Sequence, residues 1–576
     1  MRAPRGPATR PEVFPGQARV PTSEKSPALQ IVPLGGLGEF GMNMMALRWQ
    51  GSVLLVDAGL MFPDEGFLGV DIVVPDMTYL EDEPGALVGV VLTHGHDDHI
   101  GALPHLLTKM RAPVFGTRLT LGIARERLTE YGLQDQADLR VVEPRQRERV
   151  GPFEVEFIQV THSIPDAIAL AIRTPVGIVV HTADWKIDQS PVDGRGFDFR
   201  RFSELGDEGV FALMSDSTNA ARKGFTPSER DVGRALSPII QSATGRVVVT
   251  TFASNIHRLQ QVIDIAARFG RRIAFVGRSV SSNVRVAEEL GYLRMPPGVT
   301  IEPRDIMKLP RDKVVMIAGG SQGEPMSALS RIALNDHRDV TLDPGDLVIL
   351  SARRIPGNER YISRLINHLC RRGANVLMDD TPGVHVSGHA SREELKIMLA
   401  LTRPRYFLPV HGDFQHLSQH AQLAEDAGIP KERVLVIESG DILSLTADEA
   451  RIEGKAPVGS VFIDGTLEEV DKVVIRDRQH IAEDGIVMPV VAINKHTGTI
   501  EHAPEIVSRG FVWIDGDNGP LEEEARQIIV RAIETSSVEE RSDWGFIKTK
   551  IHAELKRFLR KRTQKRPMII PVILEV

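Results

Sequence analysis

The run Thr93-His94-Gly95-His96-Asp97-Asp98-His99-Ile100-Gly101 sets three imidazoles among flanking carboxylates, more metal-ligating chemistry than a core or surface segment needs. The apolar stretch from Leu87 to Leu92 reads as a buried strand. Ile100, Leu103, Leu106 and Leu107 recur behind it at helical spacing. The cluster therefore falls on a strand-to-helix loop, at the carboxyl end of a strand, where open α/β sheets bind their ligands. His94 and His96, alternating in an extended stretch, reach one ion, while Asp98 and His99, past the bend, aim elsewhere. Two divalent ions side by side follow, and with them a metal-dependent enzyme.

Other strand ends supply further candidate ligands. Phe153 to Val160 alternates apolar and polar residues like a half-buried strand and delivers His162. Ala167 to Arg173 turns at Thr174-Pro175-Val176-Gly177 and returns as a hairpin arm that ends in Asp184, a carboxylate placed to bridge two ions. Ser52 to Val56 runs into Asp57, and Tyr406 to Val410 runs into His411. A lone strand-end Asp or His is an ordinary cap or turn residue. The joint pattern is not.

In this order, Asp57, His94-x-His96-x-Asp98-His99, His162, Asp184 and His411 resemble the metallo-β-lactamase superfamily. The resemblance implies an α/β fold, a four-layered αβ/βα sandwich with the site at the sheet edges. It implies one ion held by His94, His96, His162 and Asp184, and a second held by Asp98, His99, Asp184 and His411. Asp57 would orient these ligands and the attacking water. Imidazole mixed with carboxylate suits Zn²⁺ or Mn²⁺, with Mg²⁺ a third candidate.

More than two hundred residues separate Asp184 from His411, far beyond a loop. Buried strands at Val247–Thr250, Ile273–Val276, Val314–Ala318 and Leu347–Leu350, with helical stretches between, mark an inserted parallel α/β domain. Ser215-Asp216-Ser217-Thr218-Asn219 precedes it and Val386-Ser387-Gly388-His389-Ala390-Ser391 follows it, a set that looks like the β-CASP branch of nucleic-acid-processing enzymes. Phe252-Ala253-Ser254-Asn255-Ile256-His257-Arg258, Gly319-Gly320-Ser321-Gln322-Gly323-Glu324-Pro325, Ile355-Pro356-Gly357-Asn358-Glu359 and the opening Leu34-Gly35-Gly36-Leu37-Gly38-Glu39 narrow the similarity to the bacterial ribonuclease J family, from about Ile31 onwards. Asn335-Asp336-His337-Arg338 departs modestly from the usual wording there.

The boundaries expected are a disordered tail at 1–28, the metallo-β-lactamase domain at 29–224 and 376–447, and the β-CASP insertion at 225–375. A linker at 448–468 and a small α+β C-terminal domain at 469–576 follow. Strands are expected in that last domain at Lys472–Arg476, Ile486–Asn494 and Ile569–Leu574, together with a basic helix around Lys556 to Arg562. By resemblance this domain supports a homodimer. The first 28 residues, rich in Pro and Arg, contain no apolar signal core, and no stretch approaches a membrane span. The single cysteine, Cys370, fits a reducing cytoplasm.

The whole chain carries a net charge of −8, no signature of nucleic-acid binding. From Phe225 to Asn375, however, 22 Lys and Arg face 14 Asp and Glu, while the remainder has 47 against 63. A basic lid over an acidic, metal-bearing body suits an RNA backbone, read without regard to sequence. None of the Gly-rich elements ends as a Walker motif or completes a dinucleotide fingerprint. The segment Ser387, Gly388, His389, Ala390 and Ser391 reads instead as a nest of amides for a phosphate, with Arg353 or Arg354 as helpers and Phe252 as a surface for a base. The resemblance implies two-ion hydrolysis of RNA in RNA processing and mRNA decay, as a 5′-to-3′ exonuclease preferring 5′-monophosphate ends and also as an endonuclease. Asp57, Asp98, Asp184 and His389 would be catalytic, with His389 stabilising charge at the scissile phosphate. A DNA-processing nuclease of the same branch and a catalytically inactive RNA-binding scaffold are the alternatives. The scaffold requires lost ligands, and this chain keeps them all.

Overall fold

The computed structural model describes residues 27–576, apart from 64–66, 68, 84, 356, 379–380, 466, 495–496, 498, 512–518 and 542. The tail expected at 1–28 falls almost wholly outside the described residues.

Two sheets form the body. The first runs, edge to edge, through Ala450–Lys455, Asp441–Leu445, Leu29–Gly35, Met44–Trp49, Ser52–Val56, Leu87–Val91, Val114–Gly116 and Leu139–Val141. The second runs through Tyr406–Val410, Val210–Asp216, Gly177–His181, Ile168–Thr174, Phe153–Gln159 and Arg147–Val150. Alternate side chains of a strand point to opposite faces, and here both faces are covered. Leu29, Ile31, Leu47, Val155, Phe157, Leu170 and Ile172 meet between the sheets. On the outer face of the second sheet, Ile158, Val160, Ala169 and Ala171 pack with residues of the helices Phe199–Glu208, Arg392–Thr402 and Phe414–Asp426. Val32, Leu34, Ala46 and Val90 do the same on the outer face of the first, against Leu103–Lys109 and Arg118–Glu130. Burial on both faces is why these strands read as near-continuous apolar runs.

The insertion is a five-stranded sheet in the order Arg272–Val276, Val314–Ala318, Val247–Thr250, Leu347–Leu350 and Asn375–Leu377, parallel throughout. Its last strand runs two residues past the expected boundary at 375. One face of this sheet joins the same apolar cluster that lines the first sheet's helices, so the insertion is packed onto the body.

Two expectations fail on the C-terminal side. Residues 448–468 do not form a linker: Ala450–Lys455 pairs antiparallel with Asp441–Leu445, and Ser460–Ile463 pairs with Ile72–Pro75. Gly and Pro in this stretch mark turns between paired strands. Lys472–Arg476 is not a strand but the first turns of the helix Lys472–Asp484, capped by Asp471, whose carboxylate accepts from the Val473 amide at 2.6 Å. The β-branched Val473-Val474-Ile475 suggested a strand, and the cap together with Gly485 after the helix overrides that propensity. The strand at Ile486–Ile493 alternates half-buried and buried residues, while the expected strand at Ile569–Leu574 is split by Pro571 into Met568–Ile569 and Val572–Glu575. Among the described residues, no helix is long and apolar enough to cross a membrane.

Body and insertion are stitched by buried polar groups. The fully buried guanidinium of Arg258 in the insertion pairs with both oxygens of Glu229 at 2.9 and 2.7 Å and reaches across to the body, 3.0 Å from His385 Nδ1 and 3.4 Å from the Val386 carbonyl. Arg258→Ala leaves Glu229 buried and unpaired and should destabilise the fold by about 3–5 kcal/mol. Arg234→Ala, at a guanidinium 72% exposed, should stay within about 0.5 kcal/mol of the parent. Urea unfolding of the two variants checks the contrast.

Candidate metal centre

Strand ends from both sheets converge on one point. Ser52–Val56 and Leu87–Val91, parallel neighbours in the first sheet, present Asp57 and the 93–99 loop. In the second sheet Gly177–His181, Val210–Asp216 and Tyr406–Val410 run parallel side by side and present Asp184, Asp216 and His411. His162 comes off Phe153–Gln159. The approach is close enough to demand glycine: a Cβ at Gly59 would lie 1.7 Å from the Asp98 carbonyl oxygen, and one at Gly388 would lie 2.7 Å from the His162 ring.

The ring nitrogens meet nitrogen to nitrogen. His94 Nε2 and His96 Nδ1 are 3.0 Å apart, His162 Nε2 and His96 Nδ1 3.2 Å, and Asp184 Oδ2 stands 3.7 Å from both His94 Nε2 and His162 Nε2. A second set closes on the other side of Asp184. His99 Nε2 lies 3.4 Å from Asp184 Oδ2, His411 Nε2 lies 3.6 Å from Asp184 Oδ1, and Asp98 Oδ2 lies 3.6 Å from each of these nitrogens. Ligand atoms about 2.1 Å from a shared tetrahedral ion stand about 3.4 Å apart, the spacing of these edges. Among the described residues, Asp184 Oδ1 and His411 Nε2 are buried and have no hydrogen-bond partner, which in a structural role would be a penalty with no return. Both groups therefore fit divalent ions, and the set expected from sequence is brought together with Asp184 shared.

The far nitrogens are tied down. His99 Nδ1 bonds Asp57 Oδ2 at 2.8 Å, His162 Nδ1 donates to the Gly388 carbonyl at 2.8 Å, and His411 Nδ1 meets Thr218 Oγ1 at 2.8 Å. Asp57, whose oxygens also accept from the amide and hydroxyl of Thr93, is thus spent on orienting His99 and its loop. Burial, reinforced by the neighbouring imidazoles, holds His94 well below the ordinary histidine range, and burial takes His96 down to about 4. Both keep the neutral, ligating form. For His411 burial acts downward as well, but Asp184, Asp98 and Asp216 outweigh it and raise the ring to about 9. Asp184 goes well below the carboxylate range, because His411, His99 and His389 overcome its burial.

Several residues at the site carried no assigned role in sequence. Asp216 accepts from His389 Nδ1 at 2.8 Å and so turns that ring. Asn43 reaches His99 Nε2 at 3.2 Å and the Asp98 carbonyl at 3.0 Å. The fully buried carboxylate of Glu394 accepts from the amides of Ile187, Thr226 and Ser391, each at 2.7 Å, pinning three loops. Asp216 was findable, since it ends an apolar strand as Asp57 does. Asn43 had no such signal, and Glu394 had another, the Ser391-x-x-Glu394 spacing of a capping box.

The expected phosphate nest is narrower than its sequence. The amides of His389, Ala390 and Ser391 are engaged by Ser387 Oγ, the Trp185 carbonyl and Glu394, so an anion is left the Ser387–Gly388 end and the His389 ring. Asn219 links that end to the insertion, donating to Ser387 Oγ at 2.9 Å and accepting from Arg353 at 3.0 Å. Arg354 is exposed and lies against Met378 Sδ at 3.4 Å, while Phe252 is half-buried in the loop before the helix Ile256–Arg268.

Residues 37–196 match the metallo-beta-lactamase superfamily and 244–369 the beta-CASP domain of ribonuclease J. Residues 382–435 match the RNA specificity domain of Zn-dependent metallo-hydrolases, and 473–576 the C-terminal domain of ribonuclease J. Ribonuclease J of Thermus thermophilus is 42% identical over 556 residues, covering 95% of each chain. Ribonuclease J2 of Bacillus subtilis is 38% identical over 552 residues, 95% of this chain and 99% of that one. A crystal structure of an Enterococcus faecalis protein of unknown function superposes with a TM-score of 0.50 at 15% identity, over 73% of this chain and all of that one, a likeness of fold alone.

Asp98→Ala combined with His99→Ala removes two donors of one set and none of the other. The double variant should bind about one equivalent of ion and lose several orders of magnitude in rate while staying folded. Elemental analysis beside single-turnover cleavage of RNA measures both.

Proposed function

The chain belongs to the ribonuclease J family, and from that premise we propose that this metal-dependent ribonuclease works with two divalent ions, shortening RNA 5′-to-3′ from monophosphate ends and also cutting internally. The observation that carries the reading is the single buried Asp184 carboxylate shared by two converging sets of ring nitrogens, with the His389 ring beside both. Its centroid lies 5.0 Å from that of His162 and 5.5 Å from that of His411.

In this reading His94, His96, His162 and Asp184 hold one ion, and Asp98, His99, Asp184 and His411 the other. Bound there, the ions lower the pKa of a water and offset charge on the phosphate. The mixed nitrogen and oxygen donors favour zinc or manganese over magnesium, which prefers oxygen. The remaining work belongs to the chain. His389 Nδ1 is held by Asp216, which leaves Nε2 as the ring's atom for substrate. Burial lowers the affinity of His389 for its proton, yet Asp216 and Asp184 raise the pKa above the ordinary value. The ring thus holds a proton at Nε2 to set against charge growing on the phosphoryl group and on the departing 3′ oxygen. The Ser387–Gly388 end, braced through Asn219 and Arg353, receives the terminal phosphate. Products carry 5′-phosphate and 3′-hydroxyl ends.

A homodimer through the C-terminal domain is supported by its exposed apolar side chains, among them Val473, Ile481, Phe546 and Leu574. A cytoplasmic setting for RNA processing and decay accords with a chain whose one cysteine is free.

RNA with a 5′-monophosphate should be degraded to mononucleotides faster than RNA with a 5′-hydroxyl or 5′-triphosphate, and matched DNA should be a poor substrate. Asn219→Ala, which unhooks Ser387 from Arg353, should reduce the monophosphate preference by about tenfold, the worth of one charge-assisted hydrogen bond. Equal rates on all three RNA ends would remove the terminal pocket, and equal cleavage of RNA and DNA would remove the RNA specificity.

A further inference from the structure

The turn that delivers the shared carboxylate is strained, and one imidazole outside both ligand sets holds it. Ala183, immediately before Asp184, has φ +52°, in the left-handed region that a Cβ disfavours. Its amide donates to Nδ1 of His181, two residues earlier, at 3.1 Å. This is the bond an Asn or Asp side chain makes in an Asx turn, made here by a histidine ring. On the other side Thr182 Oγ1 donates to the Ala183 carbonyl at 2.9 Å and accepts from the Asp216 amide at 3.2 Å. His181 is 7% exposed and lines the cavity behind Asp57, His99 and Asp184, without being a member of either group of converging donors.

We infer that His181 is a positioning residue for the ribonuclease reaction, its Nδ1 locking Ala183 in the left-handed turn that aims the Asp184 carboxylate at both ion positions. The demand on aim is strict. The oxygens of Asp184 must stand 3.4 Å from His99 Nε2 and 3.6 Å from His411 Nε2 while also facing His94 and His162 at 3.7 Å. Release of the turn lets Ala183 relax toward ordinary backbone angles and rotates Asp184 away from one side. A misplacement of about 1 Å in such a group is enough to cost on the order of a hundredfold in rate. The inference rests on the two-ion reading above and adds to it the device that points the shared ligand.

The test uses three variants of the full chain. His181→Phe keeps a ring of similar size and removes the acceptor. It should lower kcat about tenfold to a hundredfold with KM little changed, and should lower metal content after dialysis against a weak chelator. His181→Asn restores an acceptor for the amide two residues on and should recover most of both. Ala183→Gly in the His181→Phe background removes the conformational penalty and should recover them by the other route. In metal-free protein, amide exchange over 181–184 should be faster in His181→Phe than in the parent and slowed again in His181→Asn. If His181→Phe folds too poorly to assay, His181→Ala with and without Ala183→Gly carries the same comparison. Parental rate, metal content and exchange in His181→Phe would overturn the inference, as would failure of both Asn and Ala183→Gly to rescue. Failure of the two-ion reading is separate: it would show as full activity in the Asp98→Ala, His99→Ala double variant, whatever His181 does.

Discussion

Asp184 must face two groups of ring nitrogens at once, and each group draws on both sheets. His94, His96 and His99 ride on the first sheet, while His162, His411 and Asp184 itself ride on the second. His96 Nδ1 and His162 Nε2, one from each sheet, stand 3.2 Å apart and leave no room for the sheets to slide. The apolar filling between them is therefore part of the site. Leu29, Ile31, Val155, Phe157 and Leu170 fix the register in which the two sheet edges can share a carboxylate. Close-packed interiors transmit displacement rather than absorb it, so a loss of volume there reaches the ligands.

The insertion is bound to the same point by polar groups at the crossings. Glu394 ties together the loop after Asp184, the entry to the insertion at Thr226 and the return at Ser391. Beside it Lys186, fully buried, donates to the Pro227 carbonyl at 3.1 Å. Tyr292 and Arg195 both meet Asp166 in the loop that carries His162. Movement of the insertion is thereby coupled to the ligand loops and to the Ser387–Gly388 end. Several cations of the insertion are internal: Arg246 is spent on Asp343 and Asp346, Arg258 on Glu229, and Arg271 on backbone carbonyls. Fewer guanidinium groups are left to meet RNA than the residue count implies.

How much of this was legible follows from whether a feature is local. The strand-loop-helix at 87–109 was readable because period and ligand density coincide within a few residues, and the parallel sheet of the insertion because strands buried on both faces are apolar runs. The C-terminal helix at Lys472–Asp484 was misread because a three-residue β-branched run outweighed a cap and a stop that act from its ends. The strands at 450–463 were hidden because Gly and Pro look alike in a linker and in the turns between strands paired with partners far away in sequence. The candidate donors were legible as residues, since they gather at or just past the ends of strands. What orients them was less so: Asn43, His181 and the long-range bonds of Glu394 depend on tertiary packing, and beyond the split of His94 and His96 from Asp98 and His99 it was the resemblance to a known family that suggested which donors share an ion.

Protonation and ion binding compete at this centre for the same atoms. His411 Nε2 faces Asp98 and Asp184, and together with Asp216 they raise the ring to about 9. His99 is likewise raised, its burial outweighed by Asp184, Asp98 and Asp57. With both rings raised, each carries a proton near neutrality, and an ion entering the Asp98, His99 and His411 side would have to displace them. Apparent affinity there rises with pH until the His411 value is passed. His94, His96 and His162 are held neutral by burial and by one another, so the other side is already in its ligating form near neutrality. The two positions are thus unlike in chemistry although they share a carboxylate. An incoming ion would meet no bound proton at His94, His96 and His162, and would meet one at His99 and at His411.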